Sequence, residues 1–535
     1  MIVRSLRSLL LAVAATTLAV SGAHAQTPSL PERAVFVATL GRDTIAVETM
    51  TRTAGRVDAA VRLLSPMLLI KQTIAFTPEN GIERVGISVG RGATGDSAMQ
   101  RSELILRGDS AVSHVEQTSG APTPERRFAV PAGVVPYVNL SGLSLEQVIR
   151  RARALGRDTL SVPVLLTNGQ VIYASVARVG ADSVVIVLGG VVLRARTDSV
   201  GRLLGASVPA QKVSFARLPG DSPAAGWSPA RVSYAPPAGA PYTAEEITVH
   251  TPAGLTLAGT LTVPAHKAGT RLPAVVMITG SGAQDRDEAL PGLSAEYRPF
   301  RDIADTLSRR GIAVLRLDDR GVGGSSAGPA SATTADFADD VRAALAWLRA
   351  RPDVDPARLG LVGHSEGGII APMVAVTDPR LRGIVLIAGT ASRGLDIVHG
   401  QLRYLIAQDT SLSASRRDSL IRVALKEADS TYKTPGWKSF FATYDPLVTA
   451  RRVRTRTLIL QGETDRQVPL SEAAALARAM REGGNRTVTV RTFPRLDHLM
   501  VEDASGSPLG YQSLSSFRVR NDLRGALADW LARTL

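Results

Sequence analysis

Two rhythms of apolar and polar residues divide this chain. From about Ala34 to Leu204 the apolar positions recur every second residue in short runs. Phe36-Val-Ala-Thr-Leu, Thr44-Ile-Ala-Val-Glu, Gly86-Ile-Ser-Val, Ser102-Glu-Leu-Ile-Leu, Val171-Ile-Tyr-Ala-Ser-Val and Ser183-Val-Val-Ile-Val-Leu are of this kind. Alternation with period two sets one side of a strand against a core and the other in water, and the pairs Asn80-Gly81 and Asn168-Gly169 suit hairpin turns. A single helix is predicted over residues 143–155, with Ser144 as its cap. The sequence Leu40-Gly-Arg-Asp-Thr-Ile45 recurs as Leu155-Gly-Arg-Asp-Thr-Leu160 and hints at two related sheet segments. Residues 26–217 are thus expected to form a mainly antiparallel β domain.

Beyond residue 242 the rhythm changes. Strands that are apolar throughout alternate with amphipathic helices: Pro273-Ala-Val-Val-Met-Ile-Thr279, Ile312-Ala-Val-Leu-Arg-Leu317, Leu359-Gly-Leu-Val362, Gly383-Ile-Val-Leu-Ile387, Thr457-Leu-Ile-Leu460 and Val488-Thr-Val-Arg491. Such strands are buried on both faces, which predicts a parallel, doubly wound α/β sheet covered by helices. Glu246-Ile-Thr-Val-His and Thr256-Leu-Ala-Gly-Thr-Leu-Thr-Val read as an antiparallel hairpin leading into it. Residues 392–450 interrupt the alternation with a helical insertion carrying Tyr404, Trp437, Phe440, Phe441 and Tyr444, in a chain that is only 4% aromatic. This insertion is either a lid over a pocket or a packing appendage with its own small core. Between the two halves, residues 218–242 are so dense in Pro and Gly that they are expected to form an extended linker.

Composition narrows the class. At 535 residues the chain is too long for one core, and 44% hydrophobic with 21% charged residues suits a folded soluble protein. Residues 1–25 combine Arg4 and Arg7, a short apolar stretch and an Ala-x-Ala ending, which predicts a secretory signal and a periplasmic or secreted product. Later segments lack an apolar run long enough to span a bilayer, so no stable membrane insertion is expected. The chain has no cysteine, which excludes disulfides, thiol catalysis and cysteine-based metal sites. Its net charge of +14 comes from scattered arginines, with no basic run of the kind that binds nucleic acid.

Candidate chemistry centres on Leu361-Val-Gly-His-Ser-Glu-Gly-Gly-Ile369. Ser365 follows a buried strand and precedes a helix, the setting in which Gly-x-Ser-x-Gly presents a nucleophile. A serine hydroxyl needs a base, and the base needs a carboxylate to fix its tautomer. Of seven histidines, chain order leaves His399, inside the insertion, and His498, in the loop after strand 488–491; His498 is favoured. The turn after strand 457–460 supplies Asp465 or, less well placed, Glu463. Asp497 reads as a loop carboxylate, and His364 as pointing away from the serine. Oxyanion donors are expected from the main-chain N–H of Glu366 and of Ser281, with Gly282 next in line.

Three blocks together resemble the α/β-hydrolase superfamily, and within it bacterial serine esterases. They are Gly280-Ser-Gly-Ala-Gln-Asp-Arg-Asp287, Leu317-Asp-Asp-Arg-Gly-Val-Gly-Gly-Ser325 and Gly363-His-Ser-Glu-Gly-Gly368. The resemblance covers residues 243–535. It implies the α/β-hydrolase fold, carboxylester hydrolysis of a small acyl ester without metal or other cofactor, and a triad of Ser365, Asp465 and His498. A serine peptidase on the same core is the alternative enzyme. A non-catalytic envelope-binding protein on a hydrolase scaffold is the alternative outside catalysis.

Overall fold

The computed structural model describes residues 31–535, apart from 42, 65–67, 79–80, 92–96, 118–124, 157–158, 167–169, 190, 228–232, 291–292, 330 and 411–412. The expected signal segment and the expected turns at Asn80-Gly81 and Asn168-Gly169 fall wholly or partly outside these residues. The chain divides into two compact units, Met1–Arg231 and Val232–Leu535.

The first unit holds one fifteen-stranded sheet. Strands β1 (Glu32–Leu40), β2 (Asp43–Arg52), β3 (Arg56–Leu63), β4 (Leu68–Phe76), β5 (Ile82–Arg91), β6 (Ser97–Arg107), β7 (Ser110–Gln117) and β8 (Arg126–Ala129) run as a meander. After the short β9 (Val135–Pro136) and helix α1 (Gly142–Ala154) come β10 (Thr159–Leu165), β11 (Val171–Arg178), β12 (Ser183–Leu188), β13 (Val191–Thr197), β14 (Leu203–Val208) and β15 (Val213–Pro219). β15 returns to pair antiparallel with β1, and the two meanders join there; β9 and β10 alone run parallel among the described pairs of this unit. The period-two pattern explains the burial. Along β3, Val57, Ala59 and Val61 are buried while Arg56 is exposed. These inward residues and Leu143, Leu145, Val148 and Ile149 of α1 make one apolar cluster. Gly142 permits this approach, since a Cβ there would lie 2.3 Å from the Phe36 ring.

Two expectations about this half need correction. The cap of α1 is Ser141, whose Oγ accepts the Ser144 N–H at 3.0 Å; Ser144 sits inside the first turn and its Oγ accepts from the Val138 N–H instead. The repeated hexapeptide leads into a strand at both places, β2 after the β1–β2 turn and β10 after the exit from α1. Residues 218–242 are not wholly extended either. β15 runs to Pro219, a 3-10 turn spans Pro223–Gly226, and β16 (Tyr242–His250) starts at the far end. Ser222 accepts the Ala224 N–H and Pro223 presets the backbone, which is enough to close one tight turn.

The second unit is an eight-stranded sheet with helices on both faces. β16 and β17 (Thr256–Pro264) form the antiparallel lead-in. β18 (Leu272–Ile278), β19 (Ala313–Leu317), β20 (Val354–His364), β21 (Gly383–Ile387), β22 (Arg456–Gly462) and β23 (Val488–Phe493) run parallel, in the spatial order β16-β17-β19-β18-β20-β21-β22-β23. Alternate residues of one strand face opposite layers. Ala274, Val276 and Ile278 of β18 pack with α3 (Thr334–Arg349), α4 (Gly367–Thr377) and α9 (Leu470–Glu482). Val275 and Met277 pack with α2 (Pro299–Ser308) and α10 (Asn521–Thr534). This is the α/β-hydrolase fold, and it brings the loops after β18, β20, β21, β22 and β23 to one edge of the sheet.

The insertion consists of α5 (Gly394–Ala407), α6 (Ala414–Thr431), α7 (Trp437–Thr443) and α8 (Pro446–Ala450). Its apolar side chains, including Val398, Tyr432 and Phe441, close over Ile369 and Met373 of α4. The entry to the insertion is fixed by Glu472 of α9, whose carboxylate accepts the N–H groups of Ala391 and Ser392 and the Ser392 hydroxyl within 2.8 Å.

Candidate active site

Ser365 stands at the end of β20 with φ +53°, a left-handed conformation that a non-glycine residue adopts only where its surroundings enforce it. The enforcement is visible. The Ser365 N–H donates to the Ile387 carbonyl of β21 at 2.9 Å. A Cβ on Gly363 would come within 2.1 Å of the Gly367 carbonyl oxygen, and one on Gly367 within 2.2 Å of the Ile278 carbonyl oxygen. Both glycines are therefore required by close backbone approach. The turn holds Ser365 half-exposed while its neighbours His364 and Glu366 are buried.

Asp465 and His498 are brought together from loops 33 residues apart. Asp465 Oδ2 lies 2.9 Å from His498 Nδ1. The carboxylate is held from behind: Oδ1 accepts the N–H groups of Gln467 and Val468 at 2.9 and 2.8 Å, and Oδ2 accepts Gln461 Nε2 at 3.1 Å. With Nδ1 committed to the carboxylate, the other ring nitrogen, Nε2, is the one left for proton transfer. Glu463 is turned away, accepting from Thr492 Oγ1 at an exposed position. His399 is also remote in role, since its Nε2 faces Asp429 at 2.9 Å within the insertion.

Asp497, read from sequence as a loop carboxylate, is buried. Its Oδ1 accepts the Val501 N–H at 3.1 Å, and burial, opposed by that bond, pushes its carboxyl up to about 8.

The loop after β18 is pinned by the Asp318-Asp319 pair. Arg286 Nε and Nη2 reach the two oxygens of Asp318 at 3.0 and 2.7 Å. Asp319 accepts Thr279 Oγ1 at 2.8 Å and the Gln284 N–H at 2.9 Å. The block Leu317–Ser325 thereby fixes the shape of the loop that carries Gly280 and Ser281. Ser281 is exposed in a bend of that loop. The Gly280 N–H is directed at Glu288 Oε1, 2.6 Å away. Glu366 opens α4, so its main-chain N–H lies in the first turn of that helix, where amides carry partial positive charge.

Sequence reasoning missed three residues. The first is His364, whose ring is buried beside the ring of His498, centroids 4.9 Å apart, with Nδ1 3.0 Å from Glu288 Oε1 and Nε2 3.0 Å from the His498 carbonyl oxygen. Glu288 is buried and adopts φ +56°. Trp437 of the insertion donates from Nε1 to Glu366 Oε1 at 2.7 Å, beside a second donor, Thr334 Oγ1, at 2.7 Å. The only sequence signal for these contacts was polar residues inside apolar stretches, which names no partner. Among the described residues no group of three or more His, Asp or Glu could hold a metal ion.

Comparison with known proteins agrees with this architecture. A model described as serine aminopeptidase S33 matches residues 289–416, and one described as prolyl oligopeptidase family matches residues 403–521. Esterase EstD of Thermotoga maritima is 27% identical over 285 residues, which is 52% of this chain and 66% of that protein. YuxL of Bacillus subtilis, described as an uncharacterized peptidase, is 26% identical over 269 residues, 48% of this chain and 35% of that protein. The chain thus spans between about a third and two thirds of these curated relatives. Among solved structures, a Pyrococcus furiosus esterase, Pf2001, aligns with 57% of this chain and 96% of its own at 16% identity and a TM-score of 0.40. The order of the eight strands, the two partial family matches and the curated relatives together support placing the C-terminal unit in the α/β-hydrolase superfamily.

Proposed function

We propose that the chain is an exported serine hydrolase that cleaves carboxylic esters of modest size through an acyl-enzyme. Ser365 Oγ attacks the ester carbonyl carbon while His498 takes its proton. The tetrahedral intermediate collapses, the base passes the proton to the leaving alcohol, and the acyl group stays on Ser365. Water then repeats the sequence in reverse and frees the acid. Asp465 orients His498 and stabilises the imidazolium formed in each half. The main-chain N–H groups of Ser281 and Glu366 receive the oxyanion. The reading needs no metal or other cofactor, and a small-molecule ester as the partner.

The observation that carries the proposal is the Asp465–His498 contact, combined with the bond from His364, Ser365's neighbour, to the His498 main chain. The partial matches to two peptidase families favour amide cleavage by the same groups as a second reading. A fluorophosphonate probe followed by a panel of aryl esters and aminoacyl anilides tests both. Labelling of the wild type that vanishes in Ser365→Ala, with turnover lowered by about 10⁴- to 10⁶-fold and an unchanged Tm, is expected. Absence of labelling in folded wild-type protein overturns the hydrolase and leaves a scaffold protein; faster anilide than ester cleavage overturns the esterase in favour of the peptidase.

A further inference from the structure

Beside the ring of His498 lies another buried acid–histidine contact that the proposed chemistry does not use. His364 sits between two acceptors. On one side is Glu288 Oε1, 3.0 Å from Nδ1, an oxygen that already accepts the Gly280 N–H at 2.6 Å. On the other is the main-chain carbonyl of His498, 3.0 Å from Nε2, which can only accept. A neutral imidazole has one N–H and would leave a lone pair facing oxygen on one side. Both contacts are satisfied together when both ring nitrogens carry protons.

We propose that His364 is held as an imidazolium by Glu288 and acts as a positioning residue, fastening the main chain of the base loop at His498 and the oxyanion loop at Gly280 to the nucleophile turn. The inference rests on the hydrolase reading above and adds a residue pair to it. Its logic is one of connection. Three loops that must agree to within a fraction of an ångström leave the sheet after β18, β20 and β23, and this ring is bonded to two of them from the third. Neither His364 nor Glu288 exchanges protons with substrate.

The surroundings fit a charged ring. Burial disfavours the imidazolium, but Glu288, the His498 carbonyl and the more distant Asp465 outweigh it and raise the His364 pKa. The charged and titratable groups facing the pair are Glu288, Asp465 and the His498 ring toward His364, and Asp319 and Tyr297 toward Glu288. The left-handed backbone at Glu288 is the strain accepted to aim its carboxylate inward.

The test compares kcat and KM against pH for the full-length wild type, Glu288→Gln, His364→Gln and Ser365→Ala on a short aryl ester. Both new variants are expected to lower kcat by about 10- to 100-fold with KM within about twofold, because the base is displaced without loss of a substrate contact. The ring is charged below its pKa and Glu288 raises that pKa. Glu288→Gln is therefore expected to move the alkaline fall in kcat to lower pH. A merely structural pair lowers kcat equally at every pH, and that result overturns the proposal. Histidine-selective ¹⁵N NMR of the wild type reads the ring directly and is independent of how the variants fold. Two protonated ring nitrogens on a solvent-protected histidine at neutral pH are expected, and a singly protonated ring overturns the proposal. Undiminished turnover in Ser365→Ala overturns the hydrolase reading instead.

Discussion

Trp437, at the head of α7, donates its indole N–H to Glu366, the residue that follows the proposed nucleophile, across 71 positions of sequence. The insertion is therefore bonded to the turn that carries Ser365 and also packed on the helix behind it through Ile369 and Met373. Its aromatics build a core of their own, with Trp437 and Phe441 stacked at 5.0 Å, and that core includes the helix of the site. Lid and packing appendage are not exclusive descriptions of such an element.

Replacing Trp437 by Phe keeps most of the ring and removes the donor. Glu366 retains Thr334, so the loss is expected to be about 1–3 kcal/mol. Hydrogen exchange should show faster opening confined to residues 394–450, with the sheet unaffected. Uniform change across the second unit would refute a local role for this bond.

Asp465 and Glu463 make a discriminating pair. Asp465→Asn offers His498 the wrong tautomer and is expected to lower kcat by about 10⁴-fold with the fold intact. Glu463→Gln should leave kcat within about twofold, because its side chain is exposed and bonded to Thr492. Equal losses in steady-state assays would reverse the assignment of the acid.

Two glycines predict opposite signs. In Gly367→Ala the new methyl meets the backbone of β18 at 2.2 Å, and a main chain cannot step aside as a side chain can. A stability loss of about 3 kcal/mol, the upper part of the usual range, and loss of turnover are expected. Gly525→Ala, in the interior of α10 with nothing within 4 Å of the new Cβ, should gain about 0.8–1.0 kcal/mol. Thermal melts of both variants check the pair.

Asp497 makes stability depend on pH. Its folded pKa is raised by burial to about 8, so the folded state favours the protonated form more than the unfolded chain does. Its contribution is fully present below the unfolded carboxylate range and is lost as pH rises through about 8, at a limiting slope of about 1.4 kcal/mol per pH unit. Asp497→Asn keeps an acceptor for the Val501 N–H and removes the titration. Its Tm should fall less than the wild type's between pH 5 and 9; parallel curves would contradict the shift.

Locality decides what the sequence alone could determine. Period-two runs such as those at 36–40 and 171–176 and the all-apolar strands at 273–279 and 383–387 specify their own burial, because each residue's face follows from its neighbours. The antiparallel sheet, the parallel sheet and the turn at Gly363-His-Ser-Glu-Gly367 were legible on that basis. So were Asp465 and His498 as candidates, through chain order. Local rules failed at Ser144, where two serines competed for one cap.

Only the tertiary structure decided which polar groups are partners. Nothing near His364 in sequence says that its ring lies between a carboxylate 76 positions earlier and a carbonyl 134 positions later. Nothing near Trp437 points to Glu366. A buried hydrogen bond or ion pair depends on distance and on exclusion of water, and both arise only once strands and loops from far along the chain have packed together.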